Sequence, residues 1–310
     1  MKNQPKKSTF SRGILFAAFS YFLWGILPLY WRMLDKIDSV HILGIRILCS
    51  LLLAAIILAF NKDFKWLAAF KDFKKARQLV LIALVLTLNW GLYIWAVNHN
   101  RTIESSLGYY INPLVSIALG LIFYKEKLVP LQWAAIGLAA IGVLTQTILA
   151  GVVPWIPLIL AFTFGFYGLL KKKLELTAME SLGAETLAAA PIGIFLLFFR
   201  VEWTEKLPRV FHVSLAYMAD LPALTWIALA CCGAITTLPL YFFARSVKLL
   251  PLSTMGFIQF LTPTIQFFLG IYIFHESFPM YRLAVFSIIW VAVVLYLVSL
   301  RRKGGMRNEE

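Results

Sequence analysis

The sequence predicts an all-α membrane protein of ten transmembrane helices, arranged as two inverted five-helix units. Three observations predict it: a composition too apolar for one core, ten apolar runs of spanning length, and a proline-bearing stretch that returns 150 residues later.

Of the 310 residues, 61% are hydrophobic and 14% charged. A soluble domain is about half apolar and a quarter charged. The chain therefore predicts the lipid bilayer as part of its solvent. The three cysteines, Cys49, Cys231 and Cys232, all lie in apolar segments, which is no disulfide framework. The net charge of +14 is spread by loop and does not gather on one face, so no nucleic-acid partner is expected.

A helix needs about 20 apolar residues to span the hydrocarbon core. The runs at 13–31, 42–60, 79–98, 105–124, 131–149, 155–171, 183–199, 223–243, 255–274 and 281–300 meet or approach this length. The sixth and seventh are the weakest, being short and rich in Gly, Ala and Thr. The first is too long for a signal-peptide core and has no A-x-A cleavage site, so it predicts an uncleaved span. With the N-terminus inside, the inner loops and tails hold 21 Lys and Arg against 7 outside. That asymmetry predicts both termini in the cytoplasm.

The repeat is legible in two alignments. SLGYYINPLVSIALGLIFYKEKL (106–128) returns as STMGFIQFLTPTIQFFLGIYIFHES (253–277), matching Pro113 to Pro263, Gly120 to Gly270 and Glu126 to Glu276. AFSYFLWGIL (18–27) resembles AFTFGFYGLL (161–170). The halves are 13–149 and 155–300, between an N-terminal tail 1–12 and a C-terminal tail 301–310. Five is odd, so the second half enters the membrane upside down. That plan is common in secondary transporters, whose halves rock to give alternating access. Each proline removes a backbone donor, and the freed carbonyl must find a partner or line a cavity. Pro113 and Pro263 thus predict helix breaks bordering an inter-repeat cavity, with Asn112 and Thr262 beside them.

Charges inside spans mark function by default. Arg46, near the outer end of span two, reads as an anion clamp or as a partner for a carboxylate, against the alternative of an arginine that snorkels to the surface. Glu185, at the start of span seven, reads as a proton-coupling or cation-binding group, against a carboxylate favoured by the helix dipole. Asn89, Trp90 and Tyr93 share a broad face of span three that suits a pocket wall. Tyr110 and Asn112 on span four, and Tyr167 on span six with Trp24 as its repeat partner, extend that wall. Gln259, Thr262 and Gln266 share one face of span nine. The expected substrate-binding set is Arg46, Asn89, Trp90, Tyr93, Tyr110, Asn112, Tyr167, Gln259 and Thr262. Glu126 and Glu276, closing the fourth helix of each half, are expected to cap helix ends.

No H-E-x-x-H or other metal spacing is present, nor a phosphate-binding loop, nor a local Ser/His/Asp set. The sequence therefore predicts no metal, no cofactor and no enzyme. A membrane enzyme acting on lipid-linked substrates would need clustered acids or histidines, and Glu202, Glu205 and Asp220 are scattered.

LWGILPLYW, NWGLYIWAVN, SLGYYINPL, FYGLLKKK, TTLPL and LSTMGF-x-Q-x-x-x-PT resemble the RarD branch of the EamA family in the drug/metabolite transporter superfamily. The similarity runs in order through nearly the whole chain. It implies two EamA repeats, a bacterial inner-membrane location, and export of small metabolites or drugs. The family's basic residue in span two is matched by Arg46 and its acidic residue in span seven by Glu185. A lipid or lipid-carrier flippase of the same fold is the alternative. Uphill movement would draw on protons, another coupling ion, or exchange. One departure is His275-Glu276, where relatives read Gly-Glu.

Overall fold

A computed structural model describes residues 7–34, 37–98, 102–151, 155–203, 208–212, 221–273, 275 and 280–305. Its helices are α1 (Lys7–Trp31), α2 (Ser39–Phe60), α3 (Lys65–Ala68), α4 (Phe73–Asn98), α5 (Thr102–Tyr124) and α6 (Pro130–Ala150). They continue as α7 (Trp155–Lys173), α8 (Ala178–Phe198), α9 (Ala223–Leu249), α10 (Leu252–Gln259), α11 (Leu261–Tyr272) and α12 (Met280–Gly305). A small antiparallel hairpin, β1 (Phe199–Trp203) on β2 (Pro208–His212), sits in the α8–α9 connection, with Phe199 opposite His212.

Among the described residues, nine helices are long and apolar enough to cross a membrane, against the ten expected. The remaining long helix is α7. Its 19 residues end in Lys171, Lys172 and Lys173, which leaves an apolar run short of the spanning length. It is nonetheless packed inside the bundle, against α4 and α5. Two expected boundaries move. Span seven begins at Ala178, not 183, because Thr177 and Glu180 form a capping box. The Glu180 carboxylate accepts from Thr177 N at 2.6 Å and Thr177 Oγ1 accepts from Glu180 N at 3.3 Å. Glu185 therefore lies about two turns inside the helix, not at its start. Span nine is broken at Phe260 into α10 and α11, whereas α5 runs as one helix through Pro113, so only one of the two expected breaks forms.

Contacts between helix ends sort them onto two faces. The starts of α1, α4, α8 and α10 meet the ends of α5, α7 and α9 at a near face. There Gly13 packs on Leu249 and Leu250, Gln78 donates to Leu170 O and Gly183 abuts Trp66. At the far face the end of α1 meets the start of α9, where Tyr30 Oη donates to Ala228 O at 2.6 Å. Trp95 and Trp155 meet there too, their ring centroids 6.0 Å apart. α1 thus begins at the near face and α7 at the far face.

The packing is paired in the same sense. α1 packs on α9 as α7 packs on α4, α1 on α10–α11 as α7 on α5, and α2 on α9 as α8 on α4. The pairs α2–α8, α5–α10 and α6–α12 complete the set. Exchanging α1, α2, α4, α5 and α6 for α7, α8, α9, α10–α11 and α12 returns the same pattern. The backbone repeats even at a strained residue. Lys125 at φ 49 and His275 at φ 51, 150 positions apart, both take the left-handed conformation that non-glycine residues seldom adopt. Glu126 follows Lys125; Glu276 follows His275 and lies outside the described residues.

α5 and α10 touch backbone to backbone. A Cβ on Gly256 would stand 2.5 Å from Pro113 O, so only glycine permits that approach. The Glu126 carboxylate clamps the start of α10 beside it. It accepts from Leu252 N at 2.7 Å, Ser253 N at 3.0 Å and Ser253 Oγ at 2.6 Å. Acceptors at a helix N-terminus satisfy orphan N–H groups and favour negative charge. Lys172 answers at the preceding helix end, donating to Val247 O and Leu250 O at the close of α9.

Candidate functional site

Rings from both halves interlock in the interior of the bundle. Tyr21 and Trp24 from α1, Phe164 and Tyr167 from α7, and Phe243 from α9 interlock at centroid distances of 5.4 to 6.3 Å. In the alignment of 18–27 on 161–170, Tyr21 matches Phe164 and Trp24 matches Tyr167. The two halves thus bring equivalent rings to one barrier.

Beyond the barrier lies a cavity of about 110 Å³. It is floored by Tyr21, Trp24 and Phe164 and walled by α1, α2, α4, α5, α7, α10 and α11. A void of roughly 150 Å³ takes a benzene ring, so this one holds a small body or part of a larger one. Among the described residues, Arg46 is the only charged side chain in its lining. The guanidinium carbon stands 4.7 Å from the centroid of Trp31 and 4.4 Å from that of Trp90, and Nε donates to Thr236 Oγ1 at 3.2 Å. Two ring faces hold the cation by cation–π attraction and fix its plane.

Asn89, Trp90 and Tyr93 line the same wall. Asn89 Nδ2 is tied to α7, donating to Leu160 O at 2.9 Å and Thr163 Oγ1 at 2.8 Å. The Tyr93 ring meets Tyr109 edge-on at 6.0 Å. Asn112, Gln259 and Thr262 line the cavity near the two prolines. Thr262 Oγ1 donates to Tyr21 O at 2.8 Å. Asn112 is 5% exposed and Gln259 4%, and Asn112 Oδ1 and Gln259 Oε1 are buried with no hydrogen-bond partner. Pro113 and Pro263 also cost the carbonyls of Tyr109 and Gln259 their helical donors. Pro263 is in the lining and Pro113 is not. A third proline repeats the device: Pro28 frees Trp24 O, which accepts from Gln266 Nε2 at 3.4 Å.

Two expected wall residues sit elsewhere. Tyr110 is turned away and packs on Phe286 of α12 at 5.4 Å, while its neighbour Tyr109 faces the cavity. Successive residues differ by about 100° around a helix, so only one of the two can face inward. Tyr167 lies behind Phe164, fully buried, its ring stacked on Phe243 at 5.6 Å. Its hydroxyl donates to Glu185 Oε1 at 3.3 Å.

Glu185 is enclosed on the near side of the ring barrier. Lys171 Nζ lies 2.8 Å from Glu185 Oε2, with side-chain exposures of 0% and 1%. The contact pairs the charges without the alignment of a hydrogen bond. Nζ also donates to Ser181 Oγ at 2.6 Å. The sequence reading counted Lys171 among the loop cations; its i+4 spacing from Tyr167 and the Thr177–Glu180 box that deepens Glu185 were the available signals. Trp31, Tyr109 and Phe164 were likewise missed as lining. Among the described residues no group of His, Cys, Asp or Glu is placed to hold a metal ion.

Residues 11–147 match the EamA-like transporter family. "Protein RarD" of Streptomyces exfoliatus is 40% identical over 95% of this chain and 90% of its own length. The chain is a RarD-like member of the EamA-like transporter family. "Uncharacterized transporter YojE" of Bacillus subtilis is 39% identical over 93% of this chain and 94% of its own. "Protein RarD" of Escherichia coli is 34% identical over 93% and 94%. A solved crystal structure shares the fold at a TM-score of 0.67, with 13% identity over 91% of this chain and 96% of that one. The RarD-like chain is thus a multi-pass membrane transporter.

Proposed function

We propose that this RarD-like protein is a secondary transporter that exports a small metabolite or drug-like molecule across the bacterial inner membrane by alternating access. One observation carries the reading: a cavity at two proline-bearing helices, walled from both halves of the chain and bordered by their equivalent rings. The exchange-invariant packing and the opposite entry of α1 and α7 support two inverted five-helix repeats, 13–149 and 155–300. The lysine-rich near face is the cytoplasmic one by the positive-inside rule, which puts both termini inside and leaves this conformation closed to the cytoplasm. The substrate set is Arg46, Asn89, Trp90, Tyr93, Tyr109, Asn112, Gln259 and Thr262.

Glu185 is the coupling group. A buried ion pair is weak evidence for stability, and intramembrane charges are retained for function. A proton or other cation on the Glu185 carboxylate would release Lys171 and loosen the packing of α7 on α8 beneath the barrier.

The test begins with metabolite profiles of cells with and without the protein, followed by flux of the leading compound in proteoliposomes. Flux should follow an imposed proton or ion gradient, or counter-substrate, and should fall sharply in Asn112→Ala. Unchanged flux in a correctly inserted Asn112→Ala protein would remove the site.

A further inference from the structure

The cavity is electrically and chemically lopsided. At one part of its wall stands Arg46, a single cation among the described residues, and no carboxylate among those residues lines the cavity to neutralise it. Two indole faces and one hydroxyl hold the guanidinium in place. They leave its charge unanswered in a membrane interior, where an uncompensated charge is costly. At another part stand acceptors without donors: Asn112 Oδ1 and Gln259 Oε1, beside the proline-freed carbonyls of Tyr109 and Gln259. Each buried orphan acceptor is a cost that calls for a partner. Between these parts the wall is aromatic, with Trp31, Trp90, Tyr93 and Tyr109.

The two ends sit at different depths. Arg46 is seven residues from the start of α2 at Ser39, and Asn112 ten from the start of α5 at Thr102. Both helices start at the far face. A rise of 1.5 Å per residue puts them ~10 and ~15 Å deep. A small molecule spans that interval.

We infer that the cargo is an organic monoanion: a carboxylate that docks on Arg46, a planar or apolar body against the rings, and a hydroxyl or amide N–H that donates to Asn112 and Gln259. Guanidinium and carboxylate match in a fork of two parallel charge-assisted hydrogen bonds. An organic cation fits this wall poorly, because it would meet Arg46 with no carboxylate among the described residues to balance it. The inference rests on the cavity being the cargo site and names the class of compound that fits it.

Four compounds of one skeleton, with the donor at the end opposite the charge, separate the parts: 3-(4-hydroxyphenyl)propionate, its methyl ester, 3-phenylpropionate and tyramine. Binding to the purified protein in detergent micelles is read by calorimetry. Hydroxyphenylpropionate should bind tightest. The ester, without charge, should bind roughly tenfold or more weaker. Phenylpropionate, without the hydroxyl, should bind several-fold weaker, and tyramine should not bind. Arg46→Gln should erase the preference for acid over ester, and Arg46→Lys should keep part of it. Asn112→Ala or Gln259→Ala should erase the preference for hydroxyphenylpropionate over phenylpropionate. Thermal unfolding of each variant confirms that it is folded. The inference is overturned if tyramine binds as tightly as hydroxyphenylpropionate, if folded Arg46→Gln keeps the acid-over-ester ratio, or if none of the four binds. Micelles have no compartments, so the two readings fail separately. Acid-selective binding without flux in vesicles would sink transport and leave the site's chemistry; flux with cation selectivity would do the reverse.

Discussion

Arg46 and Glu185 occupy the same place in the two halves, each seven residues after the first residue of its helix, Ser39 in α2 and Ala178 in α8. Their surroundings are opposite. Glu185 is shut away with its own counter-ion, Lys171, at 2.8 Å. Arg46 borders a cavity and, among the described residues, is held by two indole faces and a threonine hydroxyl. One position in one repeat has thus been resolved in two ways. The charge given an internal partner is satisfied without a ligand. The charge left without one is where the proposed cargo would dock. An inverted repeat permits this, because equivalent positions of its two copies meet different surroundings.

The comparison predicts unequal responses to substitution. The largest effect on stability should follow Lys171→Met, which leaves a buried carboxylate unpaired at a cost of about 3–5 kcal/mol. It should appear as a collapse in folded yield or in the thermal unfolding midpoint. Lys171→Met combined with Glu185→Leu should recover most of that loss while abolishing gradient-driven flux. If the double variant is as unstable as the single, or retains full gradient-driven flux, the ion pair is not what is described here. Arg46→Gln should be milder for folding, since no opposite charge is abandoned, yet should cut flux by about tenfold or more. Equal destabilisation by Arg46→Gln and Lys171→Met would erase the contrast between the two sites.

Smaller effects sharpen it. Glu126→Ala removes three acceptor contacts from the start of α10. It should cost roughly 1–2 kcal/mol by the usual scale of helix caps, read as a drop of a few degrees in the midpoint. The smallest effect belongs to Tyr110→Phe, which keeps the ring against Phe286 and should leave flux nearly unchanged. Tyr109→Ala, one residue earlier, should lower flux clearly. A reversal of those two would mean that α5 is turned by about 100° from the orientation described.

How much of this was legible beforehand follows from what each signal depends on. Hydrophobic length and the spacing of Pro113 and Pro263 need only the chain itself, so the helical membrane fold and the repeated proline are visible in the residues, but not that α5 stays whole through Pro113 while span nine breaks at Phe260. The phase of a helix depends on its neighbours, which is why Tyr110 and Tyr109 could not be ranked from two adjacent tyrosines. Lys171 was read as a loop cation because lysines at the end of an apolar run ordinarily snorkel to water. Burying it required Glu185 two turns up the next helix. That depth was hidden by a boundary drawn at 183, although Thr177-Ala178-Met179-Glu180 carries the capping-box pattern in plain view. Arg46 stood out as a lone charge in an apolar run, but its indole pair could not, since Trp31 and Trp90 lie far from it in sequence.

We propose that one cavity, bordered by the two proline-bearing helices, opens alternately to the two sides of the membrane. A single cysteine at position 259 tests it most directly, in a protein whose Cys49, Cys231 and Cys232 are replaced. Reaction with a membrane-impermeant thiol reagent is followed from each side in oriented vesicles. Labelling from both sides, slowed by a bound carboxylate cargo, is the predicted result. Labelling from one side only, or from neither, would contradict the account.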